Sequence, residues 1–348
     1  MQKKLKVKIV FLLVFLILGL ISCSPSGVNE VSPVIVEDPV AVQVLDASQL
    51  PNSENVTFTD SGRMFVANYP GNGSAIYEIT KDSSGNYQAQ SYVPGVVMGS
   101  ECNFGGLTSK GNILYGGCMK SGFFSTTAYL FQVNTDNNEV KIAQLYQAKQ
   151  INGMAVAVDG SVYVGDFSSS RSADIFRLKI TQSPFLVQES VFLGKDSYFD
   201  SVTPNGIQIE GSYLYYIKKR ELRKVKIKDD GTAGAKEVLY KTSFFKIFDD
   251  FAISNSFFIV AEIPSTAGMF SNSGGRLLVI DRQSKQVVKT IESNTANFLP
   301  SSIQIVKGSN FPYNSAFVTD YFNGGLYIIN NPFQEPVPCG LNKVCVAD

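Results

Sequence analysis

Apolar and polar residues alternate along most of this chain in short runs with a period of two, and no long stretch repeats at the helical period of about 3.6. The run "NGIQIEGSYLYYI" at 205–217 shows the pattern: one alternating segment, a tight turn at Glu210-Gly211-Ser212, then an aromatic segment. Such alternation predicts half-buried β-strands joined as a hairpin. Asn205-Gly206, a dipeptide that usually makes the turn inside a hairpin, stands here at the beginning of a strand. Five other stretches share the construction. They are "ENVTFTDSGRMFVA" at 54–67, "GGLTSKGNILYGG" at 105–117, "NGMAVAVDGSVYVG" at 152–165, "DDFAISNSFFIVA" at 249–261 and "SSIQIVKGSNFPYNSAFVTD" at 301–320. The six starting points lie 51, 47, 53, 44 and 52 residues apart.

A third strand follows every hairpin ("AIYEIT", "AYLFQV", "DIFRLKI", "LRKVKI", "RLLVID", "GLYIIN"), and a fourth follows in five cases, as in "EVKIAQLY" and "KEVLYK". Four strands every 45–50 residues predict the blades of an all-β, six-bladed β-propeller of antiparallel sheets. The sixth repeat lacks a fourth strand of its own. Residues 39–46 ("PVAVQVLD") are expected to supply it and close the ring.

The innermost strand of each blade lines the central channel, so the residue at its start faces the axis at one mouth. The six equivalents are Glu54, Gly105, Asn152, Asn205, Asp249 and Ser301. Four of them, Glu54, Asn152, Asn205 and Asp249, offer oxygen ligands, and two are carboxylates. Converging oxygens without sulfur or imidazole suit a hard divalent cation, Ca²⁺ above all. Two carboxylates and two amides would give the site a charge of −2, enough for such a cation without loss of a proton near neutral pH.

Composition narrows the chemistry further. The chain of 348 residues has no histidine and no tryptophan, which excludes a Ser-His-Asp triad, a Cys-His pair and histidine-ligated zinc. The basic run at 218–228 ("KKRELRKVKIK") falls along a blade strand and is expected to be solvated. Lys3, Lys4, Lys6 and Lys8 precede an apolar run at 9–21, too short to span a bilayer and of the length of a signal-peptide core. The run ends in Leu20-Ile21-Ser22-Cys23, a lipobox, so 1–22 is expected to be removed and Cys23 lipidated. Residues 23–38 then form a tether, and 39–348 the propeller. Ser24 after the cysteine points to the bacterial outer membrane. Once the four leader lysines are discounted, 26 basic residues face 30 acidic ones, which gives no reason to expect nucleic acid as a partner. The expected partners are the lipid bilayer, through Cys23, and a small-molecule substrate or a protein, and a monomer is expected. The other four cysteines are even in number and exported, so disulfides Cys102–Cys118, across one hairpin, and Cys339–Cys345, closing a short loop, are expected.

On these residues the sequence resembles the gluconolactonase/regucalcin-like six-bladed propellers, with paraoxonases and NHL-like propellers as further relatives. Glu54 in "SENVTF", Asn152 in "INGMAV", Asn205 in "PNGIQI" and Asp249 in "DDFAIS" match in order and blade position the residues by which that family holds its metal, usually Ca²⁺. The resemblance implies a metal-dependent hydrolase of lactone- or ester-type substrates, with the metal as Lewis acid and Asp249 as general base. Two positions depart. The family's sugar-lactone members carry an Arg two residues before the middle Asn and an Asp just after it, where this chain has Gln150 and Gly153. A non-catalytic lipoprotein that binds a ligand or protein with the same propeller is the alternative.

Overall fold

The structure, a computed structural model, describes residues 38–348 except 70–73, 122–125, 169–171, 196–203, 245, 265–273, 308, 334–336, 340–342 and 346–348. The leader, Cys23 and the tether up to 37 lie outside the described residues.

Between 38 and 348 every described element is a strand, and six four-stranded antiparallel sheets make the six blades of a β-propeller. The innermost strands are Ser53–Phe58, Asn103–Lys110, Ile151–Val156, Pro204–Glu210, Lys246–Ile253 and Pro300–Ile305. Each packs on the innermost strands of its two neighbours, and the first meets the sixth, so the ring is closed. Closure is completed as the sequence predicts. Val42–Leu45 pairs antiparallel with Leu326–Asn330 as the outer strand of blade 6. Just before it, the Ala41 N–H donates to the Glu292 carbonyl at 3.0 Å, tying the closing strand to blade 5 as well.

Burial follows from position in the ring. Ser53–Phe58 and Met64–Asn68 are buried at every residue, because both faces are covered by neighbouring blades. The outer strand Tyr87–Pro94 alternates between exposed and half-buried positions, because one of its faces meets water. The core is accordingly divided into six apolar clusters, one between each pair of adjacent blades. Leu45 of the closing strand is buried in the cluster between blades 6 and 1, and Ala41 in that between blades 5 and 6.

Cys102 and Cys118 form a disulfide with Cα atoms 5.7 Å apart. Near the C-terminus Val337–Cys339 pairs with Lys343–Cys345 as a short hairpin, and the side chains of Cys339 and Cys345 lie outside those described. The basic run is not uniformly solvated. Lys218 is buried, with its Nζ 2.6 Å from Asp174 Oδ2 of blade 3.

Candidate functional site

The question raised by Asn205-Gly206 is answered by strand register. All six innermost strands carry an irregularity at the same place: between Ser53 and Asn55, Phe104 and Gly106, Ile151 and Met154, Pro204 and Ile207, Phe248 and Phe251, and Pro300 and Ser302. A bulge re-aims the extra residue out of the ladder. The residues so displaced include Glu54, Gly105, Asn152, Asn205, Asp249 and Ser301.

The residue after each of these seals the ring from below. Asn55 donates its amide to the Gly105 carbonyl at 2.7 Å. Ser302 Oγ donates to Asp250 Oδ2 at 2.6 Å. Gly106, Gly153 and Gly206 lie so close to the next blade that a Cβ would collide with Asn152 O, Asn205 O and Asp250 Oδ1 respectively. Asn-Gly is thus a bulge that presents an amide to the channel and lets the neighbouring blade close in behind it. The same packing explains why Gly153 bears no acidic side chain.

The four predicted ligands are brought together in two pairs. Asn152 of blade 3 donates Nδ2 to Glu54 Oε1 of blade 1 at 3.2 Å. Asn205 donates Nδ2 to Asp249 Oδ1. The pairs share one electrostatic environment: the charge of Glu54 acts on Asp249, and Asp250 acts on both. Burial pushes the Glu54 carboxyl up to about 8, with Asp250 adding to the rise and the Asn152 bond opposing it. Burial, then Glu54 and Asp250, raise Asp249 well above the ordinary carboxylate range. Asp250 rises to about 6, because the hydrogen bonds from Ser302, Phe251 and Ile303 offset part of its burial. The expectation that no proton need be lost near neutral pH is therefore revised. Without an ion, Glu54, raised to about 8, keeps its proton near neutral pH, and a cation bound there must displace it.

The donor set fits a hard divalent cation. Neither Glu54 nor Asp249 is in a salt bridge with a lysine or arginine among the described residues. Asn152 and Asn205 can present Oδ1 instead of Nδ2 by rotating the carboxamide. No group of three or more His, Cys, Asp or Glu able to hold a metal occurs among the described residues, so a centre here rests on two carboxylates completed by amides. Asp250 is turned away, into Ser302. At the opposite mouth a cavity of about 280 Å³ is lined by Gln208, Ala252, Gln304 and Lys307, and its one acid, Glu210, is paired with Arg282.

The comparisons with known proteins agree with this architecture. The chain resembles a protein from Lactobacillus plantarum with a TM-score of 0.52, 10% identity and 78% of each chain covered. Streptogramin B lyase matches with a TM-score of 0.49 and 12% identity, over 84% of this chain and 98% of that one. A chain of the nidogen/laminin complex follows at 0.48 and 12%, over 76% and 84%. At 10% identity the first of these likenesses shows the fold alone. No protein-family model and no curated protein sequence matches the chain.

A second belt of buried polar residues sits one strand outward. Asn68, Cys118, Asp166, Lys218, Glu262 and Asp320 pair with the residues just before the bulges or beside them. Asp166 accepts main-chain N–H groups from Lys149, Gln150 and Ser168 at 3.2, 3.2 and 2.8 Å. Asp320 accepts those of Leu299 and Asn323 at 3.0 and 2.9 Å. Glu262 holds Thr242 and Arg276, and Cys118 holds Cys102 covalently. Each of these four grips the connection leading into its own blade. The sequence reading missed this belt, although two of its members end similar strands, "VYVGD" and "AFVTD".

Proposed function

We propose that this protein is a metal-dependent hydrolase of lactone- or ester-type small molecules, with Ca²⁺ held by Glu54, Asn152, Asn205 and Asp249. The observation that carries the reading is that two buried carboxylates and two carboxamides from four blades meet in two hydrogen-bonded pairs, the charge of Glu54 acting on Asp249, with no salt-bridging lysine or arginine on either acid among the described residues. Bound there, the cation would polarise the acyl carbonyl. Asp249 takes the proton from the attacking water. Water adds at the acyl carbon, the acyl C–O bond breaks, and the proton passes to the leaving alkoxide, giving one acid and one alcohol.

The same reading has the protein exported, lipidated at Cys23 and anchored in the bacterial outer membrane. A panel of lactones and aryl esters, assayed with Ca²⁺ and after its removal by chelator, tests the activity. Turnover that disappears on chelation and returns with Ca²⁺ is expected. Absence of metal-dependent turnover across the panel overturns the hydrolase in favour of a propeller that binds its ligand without reaction.

A further inference from the structure

The acids do not stand alone at the channel mouth. Tyr69 directly follows the second strand of blade 1 (Met64–Asn68), and Tyr321 directly follows the second strand of blade 6 (Ser315–Asp320). The two tyrosines therefore hold the same position in adjacent blades. Their rings lie 5.8 Å apart at 56°, and Tyr321 packs edge-on against Phe322 at 4.9 Å. The main chain of Tyr69 is fixed by its N–H, which donates to the Asn52 carbonyl at 3.0 Å. Phe322 is 45% exposed, so this aromatic group opens to solvent.

The phenols belong to the same end of the blades as the acids: Asn68, just before Tyr69, pairs with Ser53, just before Glu54, and Asp320, just before Tyr321, pairs with Pro300, just before Ser301. The charge of Glu54 acts on both, and that of Asp249 also acts on Tyr321. Burial and these charges push Tyr321 up to about 12, so its hydroxyl remains a donor throughout the useful pH range. Neither hydroxyl meets a hydrogen-bond partner among the described residues. A half-buried phenol usually finds an acceptor. Here the described residues offer none, and neither hydroxyl is among the sealed, unpartnered polar atoms, so both are open to water or to the acyl oxygen of a ligand. Elsewhere in the ring the bulges of blades 2 and 6 carry only Gly105 and Ser301, so beyond the four candidate ligands few polar side chains are left to meet the periphery of a ligand.

We infer that Tyr69 and Tyr321 are the substrate-binding wall of this site: their hydroxyls hold the acyl oxygen, and their rings with Phe322 select a neutral lactone or ester bearing a flat apolar or aromatic group. The inference rests on the hydrolase reading for the word substrate; the binding preference itself stands apart from turnover. Calorimetry with three lactams, which resist hydrolysis, separates the two. The probes are 5-phenyl-2-pyrrolidinone, unsubstituted 2-pyrrolidinone and gluconolactam, each on calcium-loaded and on metal-free protein.

The phenyl lactam should bind the loaded protein at least tenfold tighter than either of the others. Tyr321→Ala should erase that preference. The double variant Tyr69→Phe/Tyr321→Phe keeps the rings, should fold as the parent does, and should weaken all three lactams about tenfold while retaining the preference. If Ca²⁺ fails to bind, the metal reading falls, yet the phenyl preference on metal-free protein still decides the wall. Equal affinity for phenyl and unsubstituted lactams, tighter binding of gluconolactam, or an unaltered double-Phe variant overturns the inference.

Discussion

Two belts of polar residues run round this propeller, one strand apart, and they are built on opposite principles. In the channel belt, Glu54 and Asp249 have as side-chain partners, among the described residues, only the amides of Asn152 and Asn205, from other blades. In the blade belt, Asp166 and Asp320 are held by main-chain N–H groups of the connections that enter their own blades. Burial raises the proton affinity of all four acids, and in the blade belt main-chain hydrogen bonds oppose the rise. The lesson is that burial alone does not mark a functional acid. A buried carboxylate satisfied by local main chain is a clamp. One that faces another carboxylate across a channel is costly to the protein unless it keeps a proton or, on the function proposed above, gains a cation.

Mutating each belt should separate the roles. Asp166→Ala leaves three main-chain donors without their acceptor and should cost about 3 kcal/mol of unfolding free energy. Chemical denaturation of the metal-free protein measures it, and a loss below about 1 kcal/mol would remove the clamp from the comparison. Asp249→Asn retains the shape but deletes one negative charge from the channel. Calcium affinity should fall at least a hundredfold, equivalent to about 2.7 kcal/mol, while the metal-free variant is no less stable than its parent at pH 8. Unchanged calcium binding in that variant would reduce the four-residue constellation to a coincidence of bulges.

The third and smallest effect is a pH dependence, and its sign follows from the direction of the shifts. Glu54 has a folded value of about 8 against an ordinary 4.5, so the stabilisation linked to its proton is fully present below 4.5 and lost as pH rises through 8. Metal-free protein should therefore lose stability from pH 4.5 to 8, and Asp250, raised to about 6, contributes within the same window. Calcium should reverse the trend, because it replaces those protons and binds more tightly as pH rises. Thermal melts with and without Ca²⁺ across this range check both slopes. A metal-free stability that rises with pH would show that the channel acids are not the ones that dominate.

Much of this was legible in one dimension. Strand alternation and the recurrence of six hairpins determined the propeller, because a period of two with turns every few residues admits few other ways to bury its apolar faces. The missing fourth strand of blade 6 pointed to residues 39–46 as the closing strand, and Val42–Leu45 pairs there. Glu54, Asn152, Asn205 and Asp249 were found through register, since a repeat transfers position from blade to blade. The Cys102–Cys118 pair followed from the hairpin between them.

What the sequence could not reveal depends on distances between blades. That Glu54 of blade 1 meets Asn152 of blade 3, that Gly206 is required by the carboxylate of Asp250, and that the rings of Tyr69 and Tyr321 meet are properties of the closed ring. So is the burial of Lys218 against Asp174, which a run of basic residues read alone places in water. Proton affinity belongs to the same class. The sequence counts two acids and two amides, but their charge depends on how much water the neighbouring blades exclude. Local pattern determined the strands and their order; the closing of six blades round one axis decided which side chains meet, and how strongly each holds its proton.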